Sequence, residues 1–325
     1  MYEREKILSF FGGIFNRYYR PAFRRFLKRL PEQKDWFLAS DYNWNEKGFP
    51  NDAIIFSLYP IDKKFRGLEA INMVGRDLKK IFVNDLKKTR SISDKIKGWF
   101  WRRNAAFHFC FVLDKKSSLW LTPGEDSLEI VRMDIKRTNE YFKAKVNCDF
   151  FDEIRRRIEQ ESKSNNFNCK LYSDFILLIH LYVFIVVILD REDRLSSLQW
   201  CSDKDALFEW CEGDIIDWVG MYRAKIFSDL DVEIQEENLP IYVPEKCDKE
   251  LLDPAIRPPD FLAGPLANWN IDRNLPERTS KKYADVIDNI IYNNPNICIF
   301  RLSMKKSDGT IGSMSFEENK LSLAN

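Results

Sequence analysis

The chain has 325 residues, of which 45% are hydrophobic and 31% are charged, and its formal net charge is +1. This length and composition are typical of a soluble globular protein with a sizeable core, built as one large domain or two modest ones. The near-zero net charge excludes a global electrostatic attraction to nucleic acid or membrane, so any basic binding surface must be local.

The cysteines and histidines narrow the chemistry. The seven cysteines include no CxxC pair, and both histidines, His108 and His180, lie within apolar runs. This pattern argues against a structural zinc site and against a Cys/His catalytic pair. The odd cysteine count without a signal peptide predicts a cytoplasmic protein.

The first thirty residues combine aromatic with basic side chains. From Pro21 onward, the spacing of Phe23 and Phe26 predicts a helix whose other side is basic and includes Arg24 and Arg25. Such a helix would either follow a phosphate backbone or anionic surface, or pack on the core with a solvated basic side. We take residues 1–30 as an N-terminal basic, aromatic segment.

Residues 31–325 are predicted to form a single α/β domain. Strands are predicted at 36–42, at 51–60 (antiparallel to the first) and at 105–113, where a fully apolar run indicates a central position. Helical spacing follows at 65–82, and a helical insertion is expected around 126–172. The last segments, 297–302 and 311–316, predict a C-terminal hairpin.

Residues 79–103 are strongly basic and enclose Trp99, Phe100 and Trp101. Bases for phosphates and rings for stacking are what a nucleic-acid-binding surface needs, although a solvated loop has the same composition. The candidate nucleic-acid-binding residues of this stretch are Lys87, Lys88, Arg90, Arg102 and Arg103.

The most apolar run, 175–189, has fifteen residues with a histidine at its centre. It is short for a bilayer span, so it predicts a buried element of a soluble protein and no membrane association.

The most informative stretch is Leu198–Leu207, in which a strand ends at the sequence Ser202-Asp203-Lys204-Asp205 and a helix is predicted to follow. Carboxylates at the carboxyl end of a strand lie where open α/β sheets carry their chemistry. The same acids also suit an ordinary double N-cap. Two further acids have related settings: Asp41 follows Ser40 in the first strand, and Asp260 is predicted in the first turn of a helix opened by Pro258 and Pro259.

This order of strands and helices, with its three acids, resembles the RNase H-like fold of the retroviral-integrase superfamily. The resemblance implies a mixed central sheet flanked by helices, and implies that acids of the first strand, the fourth strand and a late helix meet. Asp41, Asp203 and Asp260, with Asp205 beside them, would then be catalytic, and the first three would hold Mg²⁺ or Mn²⁺ for phosphodiester cleavage.

More narrowly, the late segment PPDFLAGPLANW resembles an uncharacterised bacterial family of this fold, often found near mobile elements or phage-defence genes. The resemblance covers about residues 36 to 269. Two departures concern the acids. The sequence after Ser40 is Asp-Tyr-Asn, where the family has Asp-Glu-Ser, and the acidic cluster Asp190, Glu192 and Asp193 competes for the fourth-strand role.

Two functions therefore remain, beside a third interpretation in which the acids belong to ordinary core and capping helices and the chain has no active site. The first is a metal-dependent nuclease or nucleic-acid-processing protein acting on DNA or RNA. The alternative is a non-catalytic interaction or scaffold protein of the same fold, partnering a toxin or defence component from a neighbouring gene. Convergence of the three carboxylates on one cleft would separate them.

Overall fold

A computed structural model describes residues 8–9, 11–44, 46–65, 68–115, 125–145, 149–202, 215–230, 238–242, 249–270, 275–276, 280–304 and 314–315. The chain forms two compact units. The helical unit comprises the described residues of Met1–Gly13, Trp120–Asp193 and Lys204–Ile241. The sheet unit comprises those of Ile14–Leu119, Arg194–Asp203 and Tyr242–Asn325.

The described strands and helices are numbered here in chain order. The strands are β1 (Asp35–Asn43), β2 (Asn51–Pro60), β3 (Phe107–Asp114), β4 (Ser197–Ser202), β5 (Ile241–Tyr242), β6 (Trp269–Asn270), β7 (Leu275–Pro276), β8 (Ile297–Met304) and β9 (Met314–Ser315). The helices are α1 (Arg20–Lys28), α2 (Leu68–Lys79), α3 (Asp94–Phe100), α4 (Glu125–Lys145), α5 (Asp149–Ser162), α6 (Cys169–Arg191), α7 (Ile215–Asp229), α8 (Lys249–Ala267) and α9 (Lys281–Val286). Short π-helical turns, Phe15–Tyr19 and Ile287–Ile291, precede α1 and follow α9.

The predicted α/β class is confirmed, because the main sheet is mixed and helices flank it. Its order is β5-β4-β1-β2-β3-β8-β9, with the two-residue strands β5 and β9 at the ends. The strands β1, β2 and β3 run antiparallel in succession, while β4 pairs parallel to β1 and β8 parallel to β3. The predicted strands 36–42 and 51–60 correspond to β1 and β2, and the terminal hairpin to β8 and β9.

The two faces of this sheet carry different cores, because strand side chains alternate. On the α8 face, Phe37 and Ala39 of β1 belong to one apolar cluster with Phe261 and Leu262 of α8. On the α1 face, Phe26 of α1 packs its ring against Trp36 and against Phe107 of β3. The predicted amphipathic helix at the N-terminus thus buries its aromatic side on the sheet.

The start of helix α8 differs from the prediction. Pro258 and Pro259 predict a helix start with Asp260 in the first turn, but the helix begins at Lys249 and Asp260 lies well inside it. The prolines satisfy the local rule for a helix start, whereas burial of α8 on the sheet extends the helix through them. Pro259 has no N–H for the carbonyl of Ala255, and the buried hydroxyl of Tyr59 donates to that carbonyl instead, at 3.1 Å.

The helical unit is organised around α6, which packs on α4 and α7. Tyr172 donates to Asp134 Oδ2 of α4 at 2.6 Å, and the ring of His180 contacts that of Tyr222. The apolar run predicted at 175–189 lies within this 23-residue helix. Among the described residues, α6 is long and apolar enough to cross a membrane, but 89% of its apolar window is buried inside the protein. Core helices of soluble proteins have this character, so the structure is compatible with a soluble protein.

The Tyr59 hydroxyl is expected to stabilise the fold only because Pro259 removes the helical donor. Tyr59→Phe leaves a buried carbonyl without a partner and should cost about 1 to 3 kcal/mol of unfolding free energy, measured by urea denaturation. In a Pro259→Ala background the backbone N–H of residue 259 is restored, so the same change should cost clearly less. Equal costs in the two backgrounds would show that the hydroxyl does not replace the missing donor.

Candidate active site

A chain of hydroxyl groups joins the carboxyl ends of β1 and β4 on the α1 face. Trp200 Nε1 donates to Ser40 Oγ at 2.9 Å, Ser40 Oγ lies 2.7 Å from Tyr42 Oη, and Tyr42 Oη lies 2.5 Å from Ser202 Oγ. Ser40 and Ser202 are Cα partners in the parallel register of the two strands. Their side chains are fully buried, so these bonds fix the ends of the two strands relative to each other.

Asp41, the first predicted site residue, is half-buried near the end of β1. By strand alternation it lies on the α8 face, as Phe37 and Ala39 do. Asp203 and Asp205, predicted at the end of β4, lie outside the described residues, which stop at Ser202 and resume at Ile215. The competing acids Asp190, Glu192 and Asp193 precede β4 and are thus not at its carboxyl end.

Asp260 binds a turn of the chain that carries bases. Its Oδ2 accepts a hydrogen bond from the backbone N–H of Leu86 at 2.7 Å. One turn earlier on α8, Arg257 donates to the carbonyl of Phe82. Both side chains of α8 therefore hold the segment between α2 and α3, in which Lys87, Lys88 and Arg90 are found.

Lys282 of α9 holds the same segment from a second helix. Its Nζ donates to the carbonyls of Leu86 and Thr89 at 2.5 and 3.2 Å. We call residues 85–90 the basic turn. Lys87, Lys88 and Arg90 are exposed there, while the backbone that carries them is bound by Asp260 and Lys282.

Sequence reasoning missed two residues of this region, Tyr283 and Glu46; the charges of Glu46 and Asp260 both act on Tyr283. Tyr283 packs its ring on Phe49, and a Cβ at Gly264 would lie 3.1 Å from its hydroxyl, so glycine makes room for the tyrosine. Burial raises the pKa of Tyr283, and the negative charges of Glu46 and Asp260 raise it further. Only the glycine in the AGP sequence of α8 hinted at this close approach.

Glu46 connects this group to β1 and to the basic turn. Its Oε2 accepts from Asn43 Nδ2 at 2.7 Å, and its Oε1 lies 3.9 Å from Lys87 Nζ. The carboxyl end of β1, the middle of α8 and the basic turn thus contribute acids and bases to one region of the sheet unit. We call Glu46, Asp260 and Tyr283, with the basic turn, the carboxyl-edge site; Asp41 lies on the same face of the sheet, near the end of β1.

Carboxylate oxygens are the ligands that Mg²⁺ and Mn²⁺ prefer, so Asp41 and Asp260 fit such an ion by donor type. Within the described part of the chain, no three His, Cys, Asp or Glu side chains come together as a metal-binding group. Asp203, the predicted third ligand, is outside that part, so the convergence of the three acids stays a prediction.

The other predicted bases lie elsewhere. Arg24 and Arg25 are exposed on α1, and Arg29 Nη1 donates to the carbonyl of Arg103 at 3.2 Å, which joins α1 to the exposed pair Arg102 and Arg103. Since α1 covers the face opposite to α8, these bases form a group separate from the basic turn.

The aromatic residues of the basic stretch do not form a stacking surface. Trp99 and Phe100 are 4% and 1% exposed and belong to the α8-face core, which their apolar rings favour over solvent. Trp101 is 42% exposed, and its Nε1 donates to the carbonyl of Asn289. His108 is also a core residue, paired with Ser57 Oγ at 2.7 Å, and burial lowers its pKa to about 3.

Comparisons with family models, with curated proteins and with solved structures gave no match.

If Asp260 anchors the basic turn, its removal should loosen that turn. Asp260→Ala should cost about 1.5 to 3 kcal/mol of unfolding free energy, because a bond to a charged acceptor is removed. The amide of Leu86 should also exchange with solvent faster, as measured by hydrogen exchange, whereas Asp260→Asn, which retains an acceptor oxygen, should change both less. Asp253→Ala on the same helix is the matched control, and equal effects in the two alanine variants would contradict the anchoring role.

Proposed function

We propose that this chain is a divalent-metal-dependent nuclease or nucleic-acid-processing protein of RNase H-like architecture, acting in the cytoplasm. Asp41, Asp203 and Asp260 would hold Mg²⁺ or Mn²⁺, and the basic turn would bind the phosphates of DNA or RNA. The implied association with mobile elements or phage defence belongs to the same proposal.

The parallel pairing of β1 with β4 is the observation that carries this proposal. An acid on the first strand and an acid after the fourth can meet only if the two strands are neighbours that end at the same edge. Ser40 and Ser202 are Cα partners, and Asp41 and Asp203 are the next residues in sequence after each. This register was not deducible from the sequence, and it supports the pairing of acids that the resemblance implies.

The packing of α8 supports the assignment of Asp260 as the third acid of the proposed site. The helix lies along β1 on the face that bears Asp41, with Ala255 near the start of the strand, where Tyr59 pairs with Phe37. Trp269, two residues beyond the other end of the helix, is near the beginning of β2, since Asn51 donates to its carbonyl. Along the direction of β1, Asp260 therefore lies between these two positions, on a helix that spans the length of the strand.

The charges suit phosphodiester chemistry. A bound divalent ion would activate a water molecule and neutralise charge on the leaving oxygen. The chain's own part is to hold carboxylates at the ends of packed elements and to bring Lys87, Lys88 and Arg90 beside Asp260, where they offset the repulsion between carboxylates and a polyanionic substrate.

Asp41 and Asp203 should both be required for metal binding. Millimolar Mn²⁺ should raise the thermal midpoint of the parent, because a ligand stabilises the state that binds it, and Asp41→Asn and Asp203→Asn should each lose most of that rise. Both should also lose metal-dependent cleavage of a labelled nucleic acid. Asp190→Asn, which changes the acid cluster ahead of β4, should retain both properties. If the parent's midpoint does not respond to Mn²⁺, or both variants respond as the parent does, the non-catalytic scaffold becomes the better interpretation.

The basic turn should set part of the salt dependence of binding. Lys87→Ala, Lys88→Ala and Arg90→Ala together should flatten the plot of log affinity against log salt by up to about three units, near 0.9 for each duplex phosphate that the variant no longer neutralises. The measurement is fluorescence anisotropy with a labelled DNA duplex in EDTA, which excludes cleavage. The triple variant Lys136→Ala, Arg137→Ala and Lys143→Ala, on the exposed side of α4, removes equal charge and serves as the control. An unchanged slope in the basic-turn variant would assign the phosphate binding to other residues.

A further inference from the structure

A basic cavity lies along α1, on the face of the sheet opposite to α8. Its volume is about 520 Å³. The described residues that line it are Asn16, Arg20, Pro21, Arg24, Arg25 and Lys28. Four of these six are cationic and none is a carboxylate, although the chain as a whole is nearly neutral. We call this cavity the α1 groove.

The amphipathic pattern of α1 explains why the cations are aligned. Phe23, Phe26 and Leu27 are 0 to 3% exposed, which commits one side of the helix to the core. Arg20, Arg24 and Lys28 recur at intervals of four residues, so each lies about 6 Å further along the helix axis than the one before. Arg25 adds a fourth charge beside this row, and the four cations line one wall of the groove.

The α1 groove is separate from the carboxyl-edge site. The rings of α1 pack on Phe107 and Phe109 of β3, on the α1 face, whereas Asp41 is on the α8 face. Near the groove, Arg103 is joined to α1 through Arg29, and Arg102 is exposed beside it. The basic residues predicted to bind nucleic acid therefore form two surfaces on opposite sides of the sheet.

The composition of the lining indicates the ligand. Arginine suits phosphate because its guanidinium group matches two oxygens at once, and a row of cations matches a ligand with repeated phosphates. An anionic membrane is disfavoured, because a membrane-bound amphipathic helix inserts apolar residues, and those of α1 are already buried in the sheet unit.

We propose that the α1 groove binds the phosphate backbone of a nucleic acid, as a second binding surface apart from the carboxyl-edge site. This inference rests on the proposed function only for the class of ligand. A strand held in the groove lies on the far side of the sheet from Asp41, so it is a segment of nucleic acid other than the one presented for cleavage. The groove would thereby hold long substrates more tightly than short ones.

The test is the double variant Arg25→Ala and Lys28→Ala in the full chain. Binding of a labelled DNA duplex is measured in EDTA over a range of salt concentrations. The slope of log affinity against log salt should fall by up to about two units, near 0.9 for each phosphate left without its cation. Addition of the basic-turn triple variant should lower the slope further by about its own effect, because distant sites act independently.

The matched control is Arg137→Ala with Lys143→Ala on α4, which removes one exposed arginine and one exposed lysine from the helical unit. It should leave the slope unchanged. An equal fall in control and test variants would overturn the proposal, since only net charge would then matter. An unchanged slope in the test variant would overturn it as well.

Two further outcomes distinguish this proposal from a lipid-binding groove and from the nuclease assignment. If Arg25→Ala with Lys28→Ala weakens binding to phosphatidylserine-containing vesicles but not to DNA, the groove is a lipid site and the proposal is wrong. If Asp41→Asn and Asp203→Asn leave the response to Mn²⁺ intact while the groove variant lowers the salt slope, the nuclease assignment fails and the groove stands. Because binding is measured without divalent ions, the two failures are distinguishable.

Discussion

The parallel pairing of β1 with β4 is the constraint on which the rest of the sheet unit depends. Parallel neighbours cannot be joined by a tight turn, so the chain must return to the starting edge before it can add the second strand. Here β2 and β3 intervene as antiparallel partners, and the connection from β3 to β4 passes through α4, α5 and α6 of the helical unit. This detour gives β1 and β4 a common carboxyl edge, where hydrogen bonds among the hydroxyl groups of Ser40, Tyr42 and Ser202 join the two strands.

Helix α8 shows how packing overrides local preference. Its interior contains Pro254, Pro258, Pro259 and Pro265, each of which removes a helical hydrogen-bond donor. The helix persists because one side is buried against β1 and β2, and because Tyr59 supplies the donor that Pro259 withholds from Ala255. Arg257, Asp260 and Gly264 of the same helix meet the basic turn and Tyr283.

Sequence patterns were sufficient where structure follows from neighbouring residues. Alternation and apolar runs placed β1, β2 and β3 nearly to their ends, and the helical spacing of Phe23 and Phe26 identified the buried side of α1. They were insufficient where distant segments meet. Pro258 and Pro259 predict a helix start, but α8 begins at Lys249 because its burial on the sheet extends it. Glu46 and Tyr283 interact although they are more than two hundred positions apart in the sequence. The composition of 79–103 likewise could not separate exposed bases from the buried rings of Trp99 and Phe100, because both occur in one short segment.

In the basic turn the backbone is held by other helices, whereas the lysine side chains are exposed and form weak ion pairs. Its backbone is held by Asp260 at the N–H of Leu86 and by Lys282 at the carbonyls of Leu86 and Thr89, so these contacts do not involve the exposed side chains of the turn's own bases. Lys87 and Lys88 pair with Glu46 and Asp85 at 3.9 and 3.1 Å, and the two lysine side chains are 73% and 74% exposed. Exposed ion pairs of this kind contribute at most about 1 kcal/mol, so each lysine can exchange its carboxylate for a phosphate at little cost.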